Sequence, residues 1–146
     1  MTDEEKKQIV RGTFDAYNRH DEKAYVALAA DDYMATDIPS GETLRGKDGA
    51  REFFHRWSDS FPDGKTTIHG ELVSGDTVTI QFTGEGTQSG PLGPFPPSNK
   101  RAKLEFVSVN RVSPQGKVVE TTFYYDQLSL LAQLGHIPVP AEAAAR

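Results

Sequence analysis

An α+β fold is what this sequence predicts, with helices first and a bent antiparallel sheet afterwards that curls around an internal pocket. Three observations carry that reading. Apolar residues recur at helical spacing as far as Phe61, the period drops to two beyond Gly64, and a late strand carries a face that mixes aromatic with polar and acidic side chains.

Thr2 followed by Glu5 fits a capping box, and Ile9, Val10, Phe14 and Tyr17 then recur at helical spacing, which predicts a first helix over about 3–19. Asn18-Arg19-His20-Asp21 breaks it, and Asp21 is placed to cap a short second helix carrying Tyr25, Leu28 and Ala29. Tyr33 to Ile38 reads as a short strand closed by Pro39-Ser40-Gly41. A third helix is expected over about 47–60, with Phe53, Phe54, Trp57 and Phe61 as a broad aromatic face, and Pro62-Asp63-Gly64 ends it. Val78, Ile80 and Phe82 then share one strand face, and Leu104, Phe106, Ser108 and Asn110 share one face of a later strand. Ser74-Gly75-Asp76 and Ser113-Pro114-Gln115-Gly116 supply tight connections. The Gly- and Pro-rich stretch 84–99 is either a lid or rim, or a plain hairpin loop. A last short helix over about 127–134 precedes Gly135. The domain is expected to span 1–137, with 138–146 as a flexible tail.

The 146 residues suit one domain, and a chain of that length buries roughly 70% of its unfolded surface. Without cysteine there is no disulfide framework, thiolate metal site or cysteine nucleophile. The net charge of -5, with basic residues scattered and Lys100-Arg101-Ala102-Lys103 the longest cluster, argues against nucleic acid. No apolar run is long enough to span a bilayer, and the acidic N-terminus is unlike a signal peptide, so no membrane partner and a cytoplasmic location are expected. His20, His55, His69 and His136 have no zinc-like spacing, and no Gly-rich phosphate loop is present; neither metal nor cofactor is expected. His55 reads as a surface residue.

The segment 118–126 is the most informative. Val119, Thr121, Phe123 and Tyr125 form one face; Val118, Glu120, Thr122, Tyr124 and Asp126 form the other. If the hairpin pairs Val112 with Val118, unbroken antiparallel register sets Asn110 opposite Glu120, Ser108 opposite Thr122, Phe106 opposite Tyr124 and Leu104 opposite Asp126. A face mixing Leu, Phe and Tyr with acids and amides fits a ligand pocket better than a solvated wall or a dry core. A slip of one residue would exchange the two faces.

Phe61-Pro62-Asp63, Gly75-Asp76-Thr77-Val78, Gly86-Thr87-Gln88-Ser89-Gly90, Gly93, Arg111, Gly116-Lys117-Val118-Val119-Glu120, Asp126 and Gln133-Leu134-Gly135 recur in the order seen in one family. The chain resembles the SnoaL-like polyketide cyclase (ester cyclase) family of the nuclear transport factor 2-like superfamily, from the first helix to Gly135. The resemblance implies a cone-shaped, cystatin-like curved sheet whose pocket is covered by three N-terminal helices, and a homodimer. It further implies a cofactor-free intramolecular aldol on a small ketone-like, hydrophobic or polycyclic molecule, with an aspartate in an apolar pocket as acid and base.

That resemblance puts the aspartate at Asp126, where capping the last helix is the competing role. Tyr124 and Asn110 join it as catalytic candidates, one as a hydroxyl donor and one as an amide that orients an enol or carbonyl. Glu120, Thr122, Ser108, Phe106, Leu104, Gln88, Trp57, Phe53, Phe61 and Tyr17 are the expected pocket lining. Many family members carry histidine where this chain has Gln88, so a role needing an imidazole there lapses. Two further readings stay open: a non-catalytic binder on the same fold, and an isomerase or epoxide-hydrolase-like enzyme using Asp126, Glu120 and Arg111.

Overall fold

Thr2 starts the first helix by the reciprocal capping expected of it. Its Oγ1 accepts from Glu5 N at 3.1 Å while Glu5 Oε1 accepts from Thr2 N at 3.3 Å. In the computed structural model, which describes residues 1–138, that helix is α1 (Asp3–Asn18). Asp21 caps α2 (Glu22–Ala27) through Ala24 N at 3.0 Å. Strand β1 (Ala29–Asp37) turns into a short edge strand, β2 (Glu42–Arg45), absent from the sequence reading. The aromatic helix α3 (Gly46–Ser60) buries Phe53, Phe54 and Trp57.

The meander follows as β3 (Lys65–Ser74), β4 (Thr77–Thr87), β5 (Arg101–Val112) and β6 (Val118–Tyr125), and α4 (Gln127–Gln133) closes the described fold. The flexible tail expected over 138–146 lies, beyond Pro138, outside the described residues.

One six-stranded curved sheet runs in the order β2-β1-β6-β5-β4-β3. The expected faces of β4 and β5 are the ones that turn inward: Val78, Ile80, Phe82, Phe106, Ser108 and Asn110 are all buried. The sheet is antiparallel except for its middle, where β1 lies parallel to β6 with Ala35 opposite Thr121 and Asp37 opposite Phe123. That parallel contact follows from the chain order. Strand β2 and helix α3 separate β1 from the meander, and β1 joins the sheet beside the meander's last strand rather than its first.

Register along β6 corrects the unbroken hairpin expected from sequence. Val112 does pair with Val118, but Arg111 pairs with Glu120, leaving Val119 as an extra residue; Asn110 then faces Thr121, Ser108 faces Phe123 and Phe106 faces Tyr125. One bulged residue reverses parity for the rest of the strand. The concave face of β6 therefore carries Thr121, Phe123 and Tyr125, and Glu120, Thr122 and Tyr124 occupy the other face. The physical benefit is plain: Glu120 sits beside Arg111, and three groups able to pack or hydrogen-bond neutrally turn inward.

Of the stretch 84–99, residues 84–87 belong to β4 and the remainder is a pinned strap. Gln88 and Lys100, and Asn99 and Gln88, are joined by backbone bonds of 3.0 and 2.8 Å. Ser60 Oγ donates to Pro91 O at 2.7 Å, and Gly90 N donates to Ser60 O at 3.2 Å.

Candidate functional site

Helices α1, α2 and α3 close over the concave sheet and leave a cavity between them that opens to solvent. Every aromatic side chain of the protein except Phe95, Tyr124 and Tyr125 lines it. Helical spacing brings Phe14 and Tyr17 down from α1 and Phe53, Phe54 and Trp57 from α3, while alternation brings Phe82, Phe106 and Phe123 up from the sheet. The rings meet edge to face as well as stacked: Phe14 and Phe82 are 4.8 Å apart at 71°, and Phe82 and Phe106 are 5.1 Å apart at 6°. Gly84 keeps this wall thin, because a Cβ there would lie 2.8 Å from the Phe106 ring.

A line of neutral polar groups crosses the apolar lining. Thr121 Oγ1 donates to Asn110 Oδ1 at 2.9 Å, and Asn110 Nδ2 donates to Ser108 Oγ at 3.0 Å and Val78 O at 3.2 Å. The Tyr33 phenol, on β1, lies near Thr121 and near Tyr25 on α2. Burial pushes the phenols of Tyr25 and Tyr33 above the ordinary tyrosine range, so both remain protonated donors at neutral pH. At the mouth, burial and the charge of Asp63 raise Tyr17 in the same direction.

Among the lining residues the one carboxylate is Glu85, at the rim, 3.6 Å from Arg101 and 4.0 Å from Lys103. Among the described residues no three His, Asp or Glu side chains converge as a metal site.

The expected site residues divide accordingly. Asn110, Phe106, Leu104, Trp57, Phe53, Phe61 and Tyr17 line the cavity, and Ser108 lies buried behind it as a partner of Asn110. The bulge at Val119 turns Glu120, Thr122 and Tyr124 away from it, and Tyr124 is 46% exposed. Asp126 is exposed and caps α4, accepting from Ser129 N at 3.1 Å, which is the competing role the sequence offered. Gln88 is fully buried outside the lining: its Nε2 donates to Phe95 O at 3.3 Å and Pro96 O at 3.1 Å, and its Oε1 lies 2.7 Å from His136 Nε2. It holds the strap in shape. His55 is a partly exposed bridge between α2 and α3, with Glu22 and Asp59 on its two ring nitrogens.

Tyr25, Tyr33 and Thr121 were not singled out as site residues by sequence. The alternation of Tyr33, Ala35 and Asp37 on β1 was a usable signal for Tyr33, since all three are buried. Nothing local marks Thr121, whose direction depends on the bulge.

Among solved structures, AclR from Streptomyces galilaeus has 24% identity, covers 99% of this chain and 92% of its own, and superposes with a TM-score of 0.81. TsrD from Streptomyces laurentii has 24% identity, with 94% and 99% coverage and a TM-score of 0.82. A protein of ketosteroid isomerase-like fold from Catenulispora acidiphila, solved with trimethylamine, has 23% identity, 92% and 95% coverage and a TM-score of 0.75. At these identities the likeness is one of fold. None of the curated proteins compared matches the chain. Among the described residues no helix is long and apolar enough to cross a membrane. Residues 7–134 match the SnoaL-like polyketide cyclase family, and with the curved sheet and covering helices in place, the chain belongs to that family.

Proposed function

We propose that this protein binds a planar, largely apolar ketone in the aromatic cavity and promotes a cyclase- or isomerase-type rearrangement there without a cofactor. The observation that carries it is the polar line from Tyr25 and Tyr33 through Thr121 to Asn110, set in a lining otherwise made of rings. A carbonyl oxygen placed against the Tyr25 and Tyr33 hydroxyls accepts hydrogen bonds from neutral donors in a water-poor site. Those bonds strengthen as the oxygen gains charge on enolisation. Asn110 fixes the Thr121 hydroxyl, beside which Tyr33 lies. Because the lining has no buried carboxylate, the α-proton passes to solvent water at the cavity mouth and the chain contributes electrophilic assistance, which suits substrates whose carbonyls already acidify a neighbouring C–H, such as β-dicarbonyls.

The missing carboxylate also supports a second reading, binding of the same ligand class without turnover. A panel of cyclic β-diketones and aryl ketones separates the two. Expected are saturable binding, exchange of the α-proton with deuterated solvent faster than in buffer, and loss of that acceleration by about 100-fold in Tyr33→Phe with binding weakened far less. Binding without accelerated exchange selects the second reading. No binding, or accelerated exchange that Tyr33→Phe leaves unchanged, overturns the first.

A further inference from the structure

We infer that His55 is a charge-dependent clasp on the seam between α2 and α3, closed while the imidazole is protonated and loosened when it is neutral. The inference concerns a wall of the cavity and does not depend on what the cavity binds. Nδ1 of His55 lies 3.1 Å from Asp59 Oδ1, one turn further along α3, and Nε2 lies 2.9 Å from Glu22 Oε2, at the start of α2. An imidazolium donates from both nitrogens, whereas a neutral ring donates from one and presents a lone pair at the other. Whichever neutral tautomer forms, one of the two carboxylates then faces a lone pair at hydrogen-bond distance. Both contacts together belong to the charged ring alone.

The neighbouring charges act in the same direction. On α3, Arg51 Nε lies 3.0 Å from the other oxygen of Glu22, and its Nη1 donates to Asp48 Oδ1 at 2.8 Å. Glu22, Asp48 and Asp59 are thus three carboxylates for two cations, Arg51 and His55, and losing the histidine proton deepens the negative excess. The Phe54 ring, perpendicular to His55 at 5.6 Å, is uncharged, and the strap beside Asp59, residues 88–99, has no ionisable side chain. Hydrogen bonding to Asp59 holds the imidazolium above the ordinary histidine value, burial opposes that shift, and Glu22 adds to it. The folded-state value exceeds the unfolded value of about 6.5, so the clasp contributes fully below about pH 6.5 and is lost as pH rises through the folded-state value.

Helix α2 has six residues, too few to hold itself, and depends on its ties. At its C-terminal end Lys47 Nζ donates to Val26 O and Ala29 O at 3.2 and 2.8 Å, and Lys117 Nζ donates to Ala27 O at 2.8 Å. At its N-terminal end the tie to α3 is Glu22. Between them stands Tyr25, which lines the cavity and packs on Phe54 of α3 at 5.3 Å. A weaker tie at Glu22 loosens the helix that carries Tyr25, so the protonation of His55 sets how firmly this wall is closed.

Histidine-ring NMR and amide hydrogen exchange on the free protein, from about pH 5 to about pH 9, test the clasp. The amides of Tyr25 and Leu28, bonded to Asp21 O at 3.1 Å and Tyr25 O at 3.2 Å, report on α2. Expected are a His55 midpoint above that of an exposed histidine, and protection of these two amides, corrected for the intrinsic exchange rate, that falls by about twofold or more with the same midpoint. In His55→Gln the step is absent, because glutamine does not titrate. In Asp59→Asn the two midpoints move down together. His20, His69 and His136 stay intact in both variants, so any general effect of pH persists in them. A His55 midpoint at or below the ordinary value, a fall in protection smaller than about twofold, a step retained in His55→Gln or midpoints unmoved in Asp59→Asn overturns the clasp.

Discussion

Tyr125 Oη lies 3.0 and 2.9 Å from the two carboxylate oxygens of Asp37, joining the ends of β6 and β1 across 88 residues of chain. Asp37 is 2% exposed, accepts from Ser40 N at 3.2 Å and has Arg56 at 4.0 Å. The Tyr125 ring also supports Trp57 and Phe106, two walls of the cavity. Tyr125→Phe keeps the ring and strips a buried carboxylate of a donor. A stability loss of about 1.5–3 kcal/mol is expected by urea unfolding, with an unchanged m-value. A loss below about 0.5 kcal/mol would show that the pair does not brace the sheet.

Asp126 is assigned to the cap of α4, and two substitutions separate that role from chemistry. Asn caps a helix about as well as Asp, so Asp126→Asn should leave the melting temperature nearly unchanged, whereas Asp126→Ala should cost about 1 kcal/mol. Neither should weaken ligand binding or slow proton exchange more than about twofold by the cavity reading. A large loss of activity in a stable Asp126→Asn variant would return this carboxylate to the mechanism.

Tyr17, Tyr25, Tyr33 and Tyr125 all have phenols raised above the ordinary value, chiefly by burial. Their folded-state pKa values exceed the unfolded value of about 10, so the stability they contribute is complete below about pH 10 and is lost as pH rises above it, when the unfolded chain releases protons that the folded chain keeps. The urea midpoint should fall steeply between about pH 9.5 and about pH 11.5, and tyrosinate absorbance from these four should emerge together with unfolding. Smooth titration of all tyrosines in a chain that stays folded would contradict the buried hydroxyl line.

Gly90 fixes the strap against α3. A Cβ there would collide with the carbonyl oxygen of Asp59, a backbone atom that cannot rotate away. Gly90→Ala should cost about 1–3 kcal/mol and open residues 88–99 to proteolysis. Gly93→Asn is the control, since its φ of +55° is one asparagine tolerates and a Cβ there meets nothing within 4 Å. Equal behaviour of the two variants would mean the strap is not pinned at Gly90.

What the sequence by itself determined are the features written in short-range pattern. Thr2 with Glu5 started α1, Asp21 capped α2, the ring-bearing face of α3 turned inward, and strict alternation placed Val78 to Phe82 and Phe106 to Asn110 on the concave side. The ordered motifs carried the family as well. These depend on neighbours within one turn or one pleat, which the chain states locally.

Tertiary structure alone decided the site. Hairpin pairing was read correctly at Val112 and Val118, yet the single extra residue at Val119 exchanged the faces of everything beyond it, so Thr121 and Phe123 entered the cavity while Glu120 and Tyr124 left it. A bulge depends on which of two registers buries the better set of side chains against β1, β5 and α3 at once. Gln88 likewise looked like a pocket residue, but its amide is spent on Phe95, Pro96 and His136, partners that only the folded strap brings within reach. The Tyr33–Thr121 approach has the same origin, because it exists only where β1 is laid parallel beside β6, a contact between segments nearly ninety residues apart that no local period can encode.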